Sequence, residues 1–247
     1  MNRYLSALFL GVCLSSTAIA GCGDDSAEDD GTDGGGKAEL NETAAASTAS
    51  LSASAVTQLN AGDGQSAAGS LFAVAGTALG LAVPGGSSAQ QQPQNLAGQL
   101  GIAASAVCET ACTAEGDSGR CDFTDCDTGG FSVEGRLEWG AGSFSCDLTY
   151  GITASAEGQN ISLDYHLVAD VDYTPTSLDG TLSMDGSSSA GGQTSTFDVD
   201  VTYNALQFPA EGGCPTSGSL SVAASISAGG QSYDASGDVS FPVSGCI

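Results

Sequence analysis

Residues 161–173, ISLDYHLVADVDY, place an apolar side chain at every second position. Successive side chains of a β-strand point to opposite faces of a sheet, so this alternation predicts a strand with one buried and one wet face. The pattern recurs in six more segments, which lie at residues 131–139, 144–154, 178–184, 197–203, 220–226 and 233–243. It changes phase at Leu206 and Phe208, which predicts a β-bulge there.

The connections between these segments are short and rich in glycine, as at Gly140–Gly142 and Gly229–Gly230. Short connections join antiparallel neighbours, so residues 131–247 are predicted to form a curved antiparallel β-meander of about seven strands. Its apolar face must be covered, because each large side chain that is buried contributes roughly 1.5–3 kcal/mol. We therefore expect an α+β fold whose meander packs against or around one or two N-terminal helices, with a fully closed barrel as the alternative.

Two segments before the meander are the candidates for that cover. Residues 66–83 are uncharged and carry large and small apolar side chains at helical spacing, which predicts a buried helix. A membrane-spanning helix is the alternative, but glycines cost about 0.8–1 kcal/mol each and the segment is short for a hydrocarbon layer of about 30 Å. Residues 95–115 carry an apolar stripe that predicts a second helix, and a cysteine-rich acidic loop is predicted at 116–130. The predicted domain thus covers residues 61–247.

The composition excludes several classes of function. The 247 residues include 29 acidic and four basic side chains and one histidine, for a formal net charge of −25. Such a charge repels phosphates, which excludes nucleic acid as a partner. No lysine follows Lys37, and one histidine cannot supply a pair for acid–base chemistry. We therefore expect a non-enzymatic protein without a cofactor or metal.

The amino terminus has the features of a secretion signal over residues 1–21. Arg3 precedes an apolar run from Leu5 to Val12, and small residues follow. Ile19, Ala20, Gly21 and Cys22 resemble the lipobox of bacterial lipoproteins. That resemblance implies cleavage before Cys22 and lipidation of its thiol with diacylglycerol and further acyl chains such as palmitate. The alternative is an ordinary secretory signal cut after Ala20.

The residues after Cys22 bear on localisation. In lipoproteins of the enteric type an Asp after the lipidated cysteine tends to retain the product in the inner membrane, whereas here Gly23 follows. The resemblance therefore implies a lipid anchor in the outer membrane, facing the periplasm or the cell surface. Residues 22–60 are predicted to form an acidic, low-complexity tether, extended by charge repulsion. Within it, residues 41–59 fit a weak helix or disorder equally.

Nine cysteines are present, and Cys13 in the signal and Cys22 at the lipid leave seven, so one must lack an intrachain partner. Cys214 and Cys246 are equidistant from Gly230 at the centre of the last predicted hairpin, which predicts a disulfide across its open end. The others leave alternatives: Cys108 or Cys112 with Cys146, Cys121 with Cys126, or a zinc cluster whose spacing fits no common pattern.

Two groups of acidic residues are further candidate sites. Asp122, Asp125 and Asp127 precede two glycines and suit either a calcium loop or, more simply, a solvated acidic loop. The second group is predicted to line the solvated face of two strands. Its histidine could act as a metal ligand or a base, although no nucleophile or second histidine completes a site. The group consists of Asp164, His166, Asp170, Asp172, Asp198 and Asp200.

These observations predict a non-enzymatic envelope lipoprotein and leave two molecular roles open. The protein could hold an apolar ligand between the sheet and the helices, a layout that distantly resembles the half-barrel carriers of lipoprotein sorting. Alternatively, it is a structural or surface-interaction lipoprotein with a solid core and no ligand. An unfilled apolar cavity would distinguish the two roles.

Overall fold

The computed structural model describes residues 37–40, 42–82, 111–128, 130–156, 159–190, 192–210 and 213–243. The predicted signal peptide, Cys22 and Cys246 lie outside these residues, as does the part of the second predicted helix before residue 111. The described chain contains two helices and one large β-sheet.

Helix α1 spans Glu42–Asn60 and helix α2 spans Gly64–Ala82. Asp63 caps α2, because its carboxylate accepts hydrogen bonds from the Ser66 backbone N–H at 3.0 Å and from the Ser66 hydroxyl at 2.6 Å. Gly62, with φ of +75°, ends α1 in the left-handed conformation that glycine tolerates best. The helix predicted at 66–83 is confirmed as α2. Among the residues that the structure describes, neither helix has the length and hydropathy needed to cross a membrane.

Helix α1 corrects the predicted boundary of the tether. Residues 42–60 belong to the folded domain, because Ala45, Ala49 and Leu59 are at most 1% exposed. The buried face of α1 consists mainly of alanine, serine and threonine, which is why its sequence resembles a linker. Small side chains let the helix lie close to its neighbours, and tertiary packing rather than an apolar stripe stabilises it.

Within the described ranges the sheet has ten strands. They are β1 Lys37–Glu39, β2 Cys112–Glu115, β3 Ser118–Thr128, β4 Phe131–Gly140, β5 Ser143–Ala156, β6 Gln159–Thr174, β7 Ser177–Ala190, β8 Gln193–Gln207, β9 Ser217–Ala228 and β10 Gln231–Ser240. Strands β2 to β10 form a continuous antiparallel meander, and β1 adds to β10 in parallel. The predicted α+β meander against N-terminal helices is confirmed. Among the described residues, strands β1 and β2 are the two edges and do not pair with each other, so the sheet is open rather than a closed barrel.

Two predicted elements are wrong in the region before residue 131. Residues 112–115 form strand β2 rather than the end of a helix, and β3 runs through the predicted loop at 116–130. In β3 the side chains of Cys121 and Phe123 are buried, while Arg120 and Asp122 are exposed. The alternation was therefore present, but charged residues and a bulge between Phe123 and Cys126 concealed it.

The inner face of the sheet carries the core. Helix α2 packs across it, with Leu71 and Val74 fully buried and the Phe72 ring 5.1 Å from that of Tyr165. The phase change predicted near Leu206 is confirmed as a register shift between Asn204 and Gln207. Ala205 has a φ of 48° at this bulge, and Leu206 is fully buried beside it.

Trp139 connects the helices to the sheet at one end. Its indole N–H donates to the Gly62 carbonyl at 2.9 Å. A Cβ atom at Gly64 or Gly119 would lie 2.3 Å or 2.1 Å from the indole ring, so both positions require glycine for this packing. The start of α2 is thereby fixed over β3 and β4.

Candidate functional site

The outer face of the sheet carries the histidine that the sequence singled out. His166 lies on β6 opposite Asp185 of β7, and its Nδ1 is 3.5 Å from the Asp185 carboxylate. Its Nε2 is 2.8 Å from the carboxylate of Asp147 on β5. The three side chains are 40%, 61% and 75% exposed for His166, Asp185 and Asp147. The cluster therefore lies in solvent on the surface of three adjacent strands.

This arrangement limits the chemistry available to His166. In the described chain its ring nitrogens contact carboxylates, and no hydroxyl is placed to be deprotonated by it. Among the described residues no group of three or more His, Cys, Asp or Glu side chains has the geometry of a metal site. A protonated imidazole could donate to both carboxylates, whereas a neutral one could donate to only one.

The other acidic residues predicted on this face also point outward. Asp164, Asp170 and Asp172 on β6 and Asp198 and Asp200 on β8 are all exposed. Partial burial raises the pKa of the Asp198 carboxyl, and the negative charges of Asp200 and Asp185 raise it further. Like charges on neighbouring strands thus repel each other on this surface.

The two arginines of the sheet lie near its β2 edge, whereas Lys37 lies on β1 at the other edge. Arg120 donates to both carboxylate oxygens of Asp122, at 2.6 and 2.8 Å, and Arg136 donates to the same carboxylate at 3.0 Å. Hydrogen bonds from the two guanidinium groups, chiefly from Arg120, lower the pKa of Asp122. Both arginines also lie within 4 Å of Glu138. No lysine or arginine follows Arg136 in the sequence, so strands β5 to β10 carry acidic residues without basic ones.

The residues of the predicted calcium loop also lie near this edge of the sheet. Asp122 and Asp127 lie on strand β3 rather than in a loop, and the side chain of Asp125 lies outside the described residues. The Asp122 carboxylate is fully engaged by two arginines. A cation would have to displace them, which is unfavourable.

The cysteines pair differently from the predicted alternatives. Cys112 and Cys121 form a disulfide between directly paired positions of β2 and β3, which contradicts the pairing of Cys121 with Cys126 and of Cys112 with Cys146. The Gln65 amide nitrogen lies 2.7 Å from the Cys112 sulfur, which links this edge to α2. The pairing of Cys112 with Cys121 depends on a hairpin between β2 and β3 that the sequence pattern did not predict.

Three more cysteines lie within the described residues. Cys126 and Cys214 are also disulfide-bonded. Because Cys246 lies outside the described residues, the Cys214–Cys246 bond stays a prediction. Cys146 is the free thiol of the described chain; it is buried on the inner face, and burial raises its pKa to about 12. At neutral pH it is a protonated, unreactive thiol.

Sequence reasoning found the outward face of β6 and missed the partners of His166. Asp147 and Asp185 were each on a recognised strand, but their proximity depends on cross-strand register, which one strand alone does not reveal. The fold and surface together define a helix-backed open meander with one solvated acidic face. The chain matches no family model, no curated protein and no solved structure.

Proposed function

We propose that this chain is a non-enzymatic envelope lipoprotein that acts as a surface-interaction module, with a solid core and the outer face of its sheet turned toward partners. The observation that carries the proposal is the difference between the two faces of the sheet. Helices of the same chain cover the inner face, so an apolar ligand there would have to compete with α2. The outer face remains open to solvent on every strand from β4 to β9.

The outer face favours a partner that carries positive charge. The acidic side chains of β6 to β10 are all exposed, and they comprise Asp164, Asp170, Asp172, Asp179, Asp185, Asp198, Asp200, Asp234 and Asp238. Their field would attract cationic surfaces and repel anionic ones over roughly a Debye length, about 8 Å at physiological salt. The same field disfavours direct contact with anionic lipid head groups. A tether that holds the domain away from the bilayer is consistent with this surface.

Attachment to the outer membrane rests on the resemblance of Ile19–Cys22 to a lipobox. Two or three acyl chains would make attachment effectively permanent, whereas one would be marginal at about 0.8 kcal/mol per buried methylene. The acidic residues before β1 then serve as the tether. Its folded end is at β1, because the sheet includes Lys37–Glu39.

Binding of an apolar ligand is the second candidate, and one observation favours it. At the end of the inner face, apolar side chains of four strands are only partly buried; they are Phe131, Ile152, Leu163 and Phe197. A ligand could contact this margin without displacing α2. The margin is nevertheless continuous with the packed core, so the solid-core interpretation explains more of the surface.

Native mass spectrometry of the full-length protein, extracted in mild detergent, tests anchor and core together. We expect a chain that begins at Cys22 with covalent acyl mass and carries no further small molecule. The Cys22→Ser variant should lose the acyl mass and remain unprocessed. A non-covalent lipid that persists after gentle activation would favour the ligand-binding role, and an unmodified Cys22 would refute the anchor.

A photo-crosslinking residue at Ser225 tests the outer face as an interaction surface. Ser225 lies opposite Asp198 on this face, and Ser54 on the exposed side of α1 provides the matched control. We expect discrete adducts in intact cells from position 225 that weaken in the combined Asp198→Asn and Asp200→Asn variant. Adducts from position 54 alone, or none that depend on the two aspartates, would contradict the proposal.

A further inference from the structure

The apolar margin of the inner face extends beyond the four strands that carry Phe131, Ile152, Leu163 and Phe197. Ile226 of β9 lies directly opposite Phe197, Tyr233 of β10 lies directly opposite Ile226, and both are partly buried. On β7 the Phe197 ring takes the place of a side chain, because a Cβ atom added at Gly186 would lie 2.7 Å from it. The margin therefore runs across the sheet from β4 to β10.

The helices cover the row of side chains next to this margin but not the margin itself. Two residues further along their strands, Val133, Tyr165 and Val199 are at most 3% exposed, and Phe72 of α2 packs on Tyr165. The side chains of the margin are only partly buried. Among the described residues, the helical cover thus ends between these two rows. A contiguous apolar patch at such a position is typical of a surface that contacts a partner or a membrane.

The chain enters the folded domain at the same end of the sheet. Strand β1 pairs in parallel with β10, and Lys37 lies opposite Asp234, three residues after the start of β10 and next to Tyr233 of the margin. Fourteen residues separate Cys22 from Lys37. A chain of this length spans about 20 Å on average and at most about 50 Å. The proposed lipid anchor would therefore keep the margin within reach of the bilayer.

This end of the sheet also carries few charges. The turns that follow β3, β5, β7 and β9 lie here, and in the sequence Asp127 and Glu157 are the only charged residues in them or within three positions of them. The turns after β2, β4 and β6, at the opposite end, contain or adjoin Glu115, Asp117, Arg120, Glu138, Asp172 and Asp179. Little charge would therefore lose hydration if the margin approached lipid.

Resting on the proposed lipid anchor, we propose that the apolar margin contacts the interface of the bilayer that holds Cys22, with zwitterionic phospholipid as its partner. Aromatic side chains such as Phe131, Phe197 and Tyr233 are typical of protein surfaces that lie in this interfacial region. The tether makes the contact intramolecular, at an effective concentration of the order of millimolar, so a modest apolar area suffices.

This contact also orients the acidic outer face. The side chains of the two faces of a sheet point in opposite directions, so a margin turned toward lipid turns the carboxylates away from it. The tether then keeps the outer face, rather than the whole domain, away from the head groups. That face remains open to the cationic partners that the proposed function requires.

Fluorescence quenching by brominated lipid tests the orientation, because the one native tryptophan, Trp139, lies near the opposite end of the sheet. The lipidated full-length protein is reconstituted into vesicles of ordinary or dibrominated phosphatidylcholine. In Phe197→Trp we expect the brominated lipid to remove about half of the added emission, since interfacial side chains lie roughly 5–10 Å into the boundary region. The matched control is Thr196→Trp on the outer face, whose emission should not change.

Flotation of the same vesicles separates this inference from the anchor on which it rests. Protein that does not float with the vesicles lacks the anchor, and the inference fails with it. Protein that floats while Phe197→Trp keeps its emission would refute the membrane contact alone, and a dimer in that sample would assign the margin to a second copy. Equal quenching at positions 196 and 197 would also refute it. If Phe197→Trp does not fold, Phe131→Trp provides the same measurement on β4.

Discussion

The two faces of the sheet differ in the interactions that constrain their side chains. On the inner face Leu167 is 1% exposed and packs within the core, whereas its neighbour Val168 points outward and is only half-buried. On the other side of Leu167 in the sequence, His166 contacts carboxylates in solvent. The inner face is therefore constrained by packing and the outer face by charge.

Truncating two adjacent side chains on opposite faces of the sheet should give the largest difference in stability between the faces. Leu167→Ala should lower the free energy of unfolding by about 2–5 kcal/mol, because it removes buried methyl groups and leaves a cavity. Val168→Ala should cost much less, about 1 kcal/mol or below. Urea denaturation of both variants measures the difference. Equal losses would mean that the two faces are not distinct in packing.

The disulfide at the β2 edge should have the next largest effect. In the chain-entropy model, a bond between residues nine apart stabilises by about 2.5–3 kcal/mol, so Cys112→Ser with Cys121→Ser should lose about that amount. The free thiol provides the control, since Cys146→Ala removes one buried sulfur but breaks no disulfide. Denaturation midpoints without reductant measure both. A loss below about 1 kcal/mol would contradict the chain-entropy estimate and mean that the Cys112–Cys121 bond adds little stability.

Replacing either of two glycines in helix α2 by alanine should change the free energy of unfolding by a smaller amount, and in opposite directions for the two positions. Gly64→Ala should destabilise by about 1–3 kcal/mol, because its Cβ would overlap the Trp139 ring. A Cβ at Gly80 meets no atom of the described residues within 4 Å, so Gly80→Ala should stabilise by up to about 1 kcal/mol through helix propensity. Thermal melts of the two variants distinguish the signs. Stabilisation by both would show that the indole can move away at little cost.

These contrasts also explain which parts of the fold the sequence could reveal. Strands β4 to β10 could be predicted because large apolar side chains alternate with polar ones, as at Tyr165 and Leu167. Helix α1 could not be assigned because its buried face consists of residues such as Ala45, Ala49 and Ser52, which resemble a linker. Its burial arises from close tertiary contact rather than from a local pattern.

The candidate site was predictable to a similar extent. Placing His166 on the wet face of β6 needs only the period of the strand, and the structure places it there. Naming Asp147 and Asp185 as its partners needs the register of two hairpins, and pairing Cys112 with Cys121 needs a hairpin whose β3 strand has few large apolar residues. Sequence periodicity assigns faces, whereas lateral contacts depend on turns.

Charge repulsion on the outer face should have the smallest effect and a characteristic pH dependence. A raised pKa in the folded state means that Asp198 binds its proton more tightly when folded, so ionisation at neutral pH opposes folding. Asp198→Asn should therefore stabilise at pH 7, by a few tenths of a kcal/mol at this exposed position. Below the ordinary carboxyl pKa of about 4 both states are protonated, and the gain should vanish.

The matched control is Asp164→Asn, since Asp164 lies between Gly151 and Ser187 rather than beside carboxylates. Urea midpoints at pH 7 and pH 3.5, each at low and high salt, provide the measurement. The gain from Asp198→Asn should shrink with salt because the charges of Asp185 and Asp200 are screened, while the contribution of partial burial persists. A gain that is equal at both pH values would attribute the effect to packing, and the outer face would then follow the same rule as the inner one.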